Sequence, residues 1–494
     1  MVRHPNSLEE FGGGIKKIIA MKLKIAVWNN LLYTAIQFSL PILSMSWMAH
    51  ALGSYGFGEL SWVENVSRLI ALFFSLGIPL YGHKALQCCK TANEKRDVLL
   101  VILRFHLLIT LFVGAGMGIY FFQYEHRRFF PWPVVYLVSQ LLQLEWYFQA
   151  IQRYDFLIKR SLFIRLVSLV MVMIWVKSPE DVITGFSFIC LTQLILGLSN
   201  IFYLNREVEF HKLFQIKRKI RLDKSLLYLS ISSVFVTIYT MLDTVVLRYF
   251  SDFRFVGNYF LSLRIAKMPM LVLGAMVPIF LMQLVADHQK KSITEYFKNL
   301  EMSFKTMIIV AIPIVFCVFE NATQIVMIMG GDSFSSGSVF LRLLIWILPL
   351  TIISNVFGYQ LLVSMDRERN YGFISMIGFL VALISFFSLI PSYGPLGAAY
   401  AVFITEFSVA CMSLLYARSV LNVRGNVAYL MKWLFCFIPF GFLLHELNGL
   451  IPDGILILCI DFVVMGLYGL VCVKFIFKDL WFFDWFTIRK RHGE

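Results

Sequence analysis

No Asp, Glu, Lys or Arg occurs between Ile25 and Ala51. Those 27 residues exceed the roughly 20 that a helix needs to cross a hydrocarbon core about 30 Å thick. Comparable apolar runs recur as far as Phe477, and no long polar block separates them. A chain built this way folds in a bilayer. The composition agrees: 59% of the 494 residues are hydrophobic, 15% are charged and the mean hydropathy is +0.74. Soluble domains carry about 25% charged residues. The runs are continuous and do not alternate with period two, so they predict helices and not barrel strands.

About fourteen spans can be read, from about 25–50 to about 454–477. The loops between them set the orientation. With the N-terminus in the cytoplasm, cytoplasmic segments hold roughly 31 of the 44 Lys and Arg, and the opposite loops hold about five. Cytoplasmic loops are expected to be rich in Lys and Arg, so both termini are placed in the cytoplasm. Arg127 and Arg128 are the clearest exception. The net charge of +14 follows from these loops, and no nucleic-acid partner is expected. The first about 20 residues are polar and basic, so no cleaved leader is expected. Most of the eight cysteines lie in apolar runs, with no Cys-x-x-Cys pair and no zinc spacing. No metal or other cofactor is expected. With no nucleotide-binding Gly-rich loop either, no catalytic residue is assigned and the chain is not expected to be an enzyme.

A duplication orders the spans. The stretch from Leu52 to Gly82 is echoed from Phe250 to Phe280. Gly58 lines up with Gly257, Arg68 with Lys267 and Pro79 with Pro278, each 199 residues apart. Spans one and seven both start in the cytoplasm, so the halves are parallel repeats about an axis along the membrane normal. The expected fold is an all-α integral membrane protein with two parallel six-helix lobes and two extra C-terminal helices. The N-lobe takes residues 1–204 and a basic cytoplasmic linker takes 205–224. The C-lobe takes 225–424, and spans thirteen and fourteen with a basic cytoplasmic tail take 425–494. The linker mixes Phe210, Leu213, Phe214 and Ile216 with cations. It is either an interfacial amphipathic segment or a solvated connection. Substrates of such repeats pass between the halves.

Ionisable groups inside the spans carry the functional signal, because each costs roughly 2.5–3.5 kcal/mol if it faces lipid. Glu64 and Arg68 stand four residues apart with the acid first, the favourable order for a helical pair. They are either a neutralised structural pair or part of a site. Arg264 and Lys267 share a face with no acid four residues away, which predicts a cationic surface. Asp243 could pair with one of these cations or bind a coupling proton or ion. Glu145 and Glu406 are further candidate coupling carboxylates. Arg104, Arg165, Lys305 and Arg342 lie nearer helix ends, where snorkelling explains them as well as a cavity does. Asp461 has no evident partner. A cavity with excess positive charge selects an anion, and arginine suits phosphate through bidentate hydrogen bonds.

Four stretches carry a family resemblance: MAHALGSYGFGELSW from Met48, GIPLYGHKAL from Gly77, LDTVVLRYFSDFRFVGNYFLSLRIAK from Leu242, and YGPLGAAYAVFITE from Tyr393. In their order and spacing the chain resembles the bacterial polysaccharide-transport (O-antigen flippase, Wzx-like) family of the multidrug/oligosaccharidyl-lipid/polysaccharide exporter superfamily. The resemblance covers nearly the whole chain, with the last two spans weaker. It implies a flippase of the bacterial inner membrane. The substrate would be undecaprenyl-diphosphate-linked oligosaccharide units, moved to the outer leaflet for O-antigen, capsule or exopolysaccharide assembly. A polysaccharide polymerase and chain-length machinery would be its partners, besides the lipid-linked oligosaccharide and membrane lipid. It also implies that cavity cations hold the head group, which here points to Arg68, Arg264 and Lys267, with Glu64 and Arg342 in the same cavity. Trp62, Tyr259 and Phe260 are candidates to stack on sugars.

Two rival readings come from other classes. A drug/cation antiporter of the same superfamily predicts an acidic cavity. A polysaccharide polymerase or ligase predicts a large outer loop with reactive residues, and the longest outer loop expected here is about Glu320 to Gly337.

Overall fold

The computed structural model describes residues 7–75, 86, 89, 91–123, 127–151, 153–205, 224–289, 292–421, 424–448 and 455–479. All but the ends of the basic linker expected at 205–224, and also Pro79, lie outside the described residues. The helices follow the apolar runs. The first half holds α1 (Ser7–Ser75), α2 (Ala92–Gln123), α3 (Trp132–Leu141), α4 (Glu145–Ala150), α5 (Tyr154–Trp175) and α6 (Val182–Leu204). The second half opens with α7 (Lys224–Phe250), α8 (Phe253–Gln289), α9 (Ile293–Glu320) and α10 (Ala322–Gly330). It continues with α11 (Gly337–Leu344), α12 (Ile347–Ile353), a π-helical turn Ser354–Gln360, α13 (Leu361–Ser364) and α14 (Glu368–Arg418). Two more helices close the chain, α15 (Arg424–Asn448) and α16 (Ile455–Val471).

Two of these helices are each two arms joined at a glycine. Gly53 in α1 and Gly394 in α14 take φ of +66° and +55°, a region that costs a side chain about 1–2 kcal/mol. The arms of α14 then run back along each other. A Cβ at Gly397 would meet the Leu389 carbonyl oxygen at 2.1 Å, and one at Gly378 would meet Val409 at 2.5 Å. In the second half the turn repeat-related to Gly53 falls at Ser251 and Asp252, where α7 ends and α8 begins.

Among the described residues, nine helices are long and apolar enough to cross a membrane. The expected fourteen is not reached by length and apolarity alone. Neither arm of α1 is among the nine, the hairpin α14 counts once, α5 carries Lys159, Arg160 and Arg165, and the segment 132–150 is broken between α3 and α4. The outer surface is apolar, with Phe112, Phe163 and Ile384 more than two-thirds exposed. That is the surface a lipid-facing helix presents. The protein is a multi-pass membrane protein.

The two halves meet where α1 crosses α8. A Cβ at Gly58 would sit 1.9 Å from the Phe253 carbonyl oxygen and 2.8 Å from the Gly257 nitrogen. A Cβ at Gly257 would sit 2.0 Å from the Ser54 carbonyl oxygen and 3.0 Å from the Gly58 nitrogen. The contact is therefore reciprocal at the offset of 199 residues. Neither position has room for any residue but glycine. Aromatic rings pack around the crossing: Phe57 lies 6.0 Å from Phe260 and 5.7 Å from Phe334, and Tyr55 lies 5.5 Å from Phe253. The largest buried cluster runs continuously through both halves here.

Candidate functional site

Beyond the crossing the halves diverge and enclose a cavity of about 500 Å³. Arg68 and Lys267 each lie ten residues past their glycine, about 15 Å along a helix. Both line the cavity, and so do Glu64, Arg165 and Arg264. Among the described residues, these four cations and one carboxylate sum to three net positive charges.

Glu64 is the hub. Its carboxylate accepts a hydrogen bond from the Arg68 guanidinium on its own helix. It also lies 3.7 Å from the Arg264 guanidinium on the facing half. The Arg68 Nε donates to the Tyr136 hydroxyl on α3 at 3.3 Å, and Arg264 stacks over Phe260 at 4.8 Å. One acid thus bridges two guanidiniums that would otherwise repel across the gap. Arg68 is neutralised locally, as its spacing from Glu64 allowed, yet the same acid ties it to the second half.

Lys267 is placed differently. Among the described residues it has no ion pair within 4 Å, and the acids whose charge reaches it are Asp243 and Glu406. Asp243 on α7 is fully buried. Its carboxylate accepts from the Tyr259 hydroxyl at 2.7 Å, from the Thr244 N–H at 2.6 Å and from the Thr244 hydroxyl at 3.1 Å. Glu406 on α14 accepts from Thr351 at 3.1 Å and from Tyr239 at 3.5 Å. Both acids stand behind Lys267 in the second half, and neither lines the large cavity.

Three expectations, for Arg342, Tyr259 and Trp62, need correction. Arg342 is exposed on α11 and does not line the cavity; it follows the buried Leu341 directly and so points about 100° round the helix from that face. Tyr259 is fully buried beneath Asp243, and Trp62 is buried in the packing about the crossing, so of the three aromatics only Phe260 reaches the cavity. Glu145 pairs with Arg160 at 2.8 Å inside the first half, where Arg160 also donates to Asn200 and to the Leu196 carbonyl at 3.1 Å. Lys305 pairs with Glu301 at 2.9 Å and reaches Asp479 at 3.7 Å, and Asp461 accepts from Asn321 at 2.9 Å. Arg128, an exception to the loop charge bias, pairs with the buried Glu59 of α1 and stacks on Phe129 at 5.2 Å.

Arg165, for which snorkelling and a cavity position are equally open from the sequence, lies on the wall, with a buried Nε that has no hydrogen-bond partner among the described residues. Uncharged polar groups were missed altogether. Ser168 and Thr192 share a hydrogen bond at 2.5 Å, Gln193 accepts from Gln143 at 2.9 Å, and Asn65 adds an amide. Such residues are common in membrane helices, so only their convergence on one wall marks them. The described residues hold no group of three or more potential metal ligands.

Comparison with known proteins agrees with this architecture. Residues 27–280 match the family described as polysaccharide biosynthesis protein, just over half of the 494 residues. Candidate O-antigen transporters from Shigella dysenteriae and Escherichia coli (strain K12) are 22% and 21% identical. The alignments span 76% and 80% of this chain and 94% and 98% of those proteins. The lipid II flippase MurJ in an inward closed conformation superposes with a TM-score of 0.69 at 14% identity, over 93% of this chain and 99% of its own. An inward-facing multidrug-resistance MATE transporter of the MOP superfamily gives 0.59 at 14% identity, over 81% and 96%. The fold is that of this transporter superfamily, and the chain belongs to the polysaccharide biosynthesis protein family.

Proposed function

We propose that the protein flips undecaprenyl-diphosphate-linked oligosaccharide repeat units from the inner to the outer leaflet of the bacterial inner membrane, for assembly of a surface polysaccharide. Both termini then lie in the cytoplasm, and the Gly58–Gly257 crossing closes the outer side. The cavity charge carries the reading: four cations against one carboxylate among the described residues, gathered from both halves. Arg68, Arg264 and Lys267 hold the diphosphate, and Arg165 with the polar wall of Ser168, Thr192 and Gln193 faces the sugars. The polyprenyl tail stays in lipid. The halves rock about the crossing, as repeat-built transporters do. A polymerase and chain-length machinery take up the product outside. The names borne by the Shigella and Escherichia relatives and by the lipid II flippase support the same class of substrate.

The energetics favour export. Each negative charge carried outward through an inside-negative potential releases roughly 2.3 kcal/mol per 100 mV. A drug/cation antiporter would need the opposite sign in its cavity, and the carboxylates that could serve one, Asp243 and Glu406, are set back behind Lys267. The test is genetic. Deleting the gene should abolish one surface polysaccharide and leave lipid-linked units on the cytoplasmic side. A double Arg68→Ala, Lys267→Ala variant should insert normally and fail to restore it. Full restoration by that variant would falsify the head-group role.

A further inference from the structure

Lys267 stands in the wall between two cavities. It lines the large central one and also a small one of about 10 Å³ in the second half, which Tyr239, Thr240, Thr405 and Glu406 share. That volume suits about one water molecule, and the lining offers an ammonium, a carboxylate and three hydroxyls for it to bond. The groups facing Lys267 come from three helices. Asp243 and Tyr239 approach from α7, Glu406 from α14, and Arg264 is on its own helix; Tyr371 of α14 stands near Glu406. Thr351 of α12 bonds Glu406 from behind. With both acids ionised, Lys267, Asp243 and Glu406 together carry one net negative charge.

The two acids are not equivalent. Asp243 is fully buried and accepts three hydrogen bonds, so its carboxylate is satisfied without Lys267. Glu406 has two hydroxyl contacts, one as long as 3.5 Å, and it alone of the two borders the small cavity. Lys267 and Thr240 line both cavities and so stand between Glu406 and the central one.

We propose that Glu406 is a proton-binding site that controls whether Lys267 serves the central cavity. Ionised, Glu406 and Asp243 together hold the ammonium toward the second half. Taking up one proton from cavity water, Glu406 becomes neutral and the trio becomes neutral overall. Lys267 is then free to turn to an anionic head group. Head-group binding and proton uptake are thereby linked, each favouring the other by the same factor. This rests on the reading of the central cavity as a diphosphate site.

Calorimetry on the purified full chain tests it, with undecaprenyl diphosphate as ligand, undecaprenol as the uncharged control, and two buffers of different ionisation enthalpy to count protons. The parent should take up about one proton more on binding than Glu406→Gln, because the linkage is lost in the variant. At pH about 7.5 the variant should bind about tenfold tighter than the parent, and Lys267→Gln should erase that gain in the double variant, as coupled residues do. Should Glu406→Gln not insert, Thr351→Val removes one donor from the carboxylate and should move half-maximal uptake to higher pH. Equal proton uptake and equal affinity in parent and Glu406→Gln, an unmoved profile in Thr351→Val, or a gain that survives Lys267→Gln would each overturn the linkage alone. A parent that binds the diphosphate no better than undecaprenol would overturn the cavity reading and the linkage with it.

Discussion

Residues 54–68 and 253–267 run the same course through the two halves. Gly58 meets Gly257 backbone to backbone, and ten residues further on Arg68 and Lys267 line one cavity. The charges around those cations do not repeat. On α1, Glu64 stands one turn before Arg68 and engages it directly. The repeat-related position on α8 is Leu263, and the acids near Lys267 come from other helices, Asp243 and Glu406. The backbone contact is symmetric because close helix approach admits only glycine on both sides. The charge pattern is free to diverge because a carboxylate can reach a cation from several helices. One half therefore holds its cation by a fixed pair, and the other leaves its cation in the wall without an ion pair among the described residues.

Alanine at Gly58 or at Gly257 attacks the shared feature and carries the largest expected effect. Either new Cβ would meet a carbonyl oxygen at 2.0 Å or less. Overpacking costs about 1–3 kcal/mol, which depletes the closed crossing by a factor of about 5–150. Transport should fall accordingly, and a cysteine introduced at Ser54 should become more reactive from the outer side. The two alanine variants should behave alike; strong loss in one with tolerance in the other would break the symmetry.

Moving the acid sharpens the asymmetry. Glu64→Leu leaves Arg68 and Arg264 unbridged, and truncating one partner of such a charge pair costs about 2–5 kcal/mol. Transport measured in cells should drop at least about tenfold, since about 1.4 kcal/mol suffices for that. Adding Leu263→Glu puts a carboxylate at the repeat-related site, four residues before Lys267, and should recover a large part of the loss. No recovery would mean that the place of Glu64 between two guanidiniums, and not the cavity charge, is what matters.

Glu145→Gln tests whether the first half holds a coupling acid of its own. Its ion pair with Arg160 is local. The change should lower stability by about 1–3 kcal/mol, seen as a lower Tm, while transport per folded molecule and its pH profile stay as in the parent. A changed pH profile would make Glu145 a coupling residue. Lys305→Met should have the smallest effect. Its near partner Glu301 is half-exposed and its contact to Asp479 is long, at 3.7 Å, so stability should fall by about 1–2 kcal/mol, seen as a lower Tm, and transport should be unaffected.

Much of this was legible in the sequence, for a physical reason. Buried ionisable groups are costly, so Arg68, Arg264 and Lys267 announced a cavity, and the repeated glycines fixed which two helices share it. Three things were not legible. Arg342 has the same chemistry as Arg264, and only the packing of α11 shows that it faces away. Tyr259 looked like a stacking ring, whereas its hydroxyl is committed to Asp243. The second partner of Glu64, Arg264, is 200 residues away in the chain, and helical spacing reveals only partners three or four residues off. The wall of Ser168, Thr192 and Gln193 was invisible because no single one of these residues is unusual in a membrane helix.

The central claim is that cations from both halves hold a diphosphate between them. Binding of undecaprenyl diphosphate and of undecaprenol to the reconstituted protein measures it directly, in the parent and in Arg68→Ala, Arg264→Ala and Lys267→Ala. The parent should prefer the diphosphate by about 100-fold or more, the worth of one or two charge-assisted hydrogen bonds at about 1.5–3 kcal/mol each. Each variant, whether changed in the first half or the second, should lose about tenfold of that preference. A preference that depends on one half only, or equal binding of the diphosphate and the alcohol by the parent, would contradict the account.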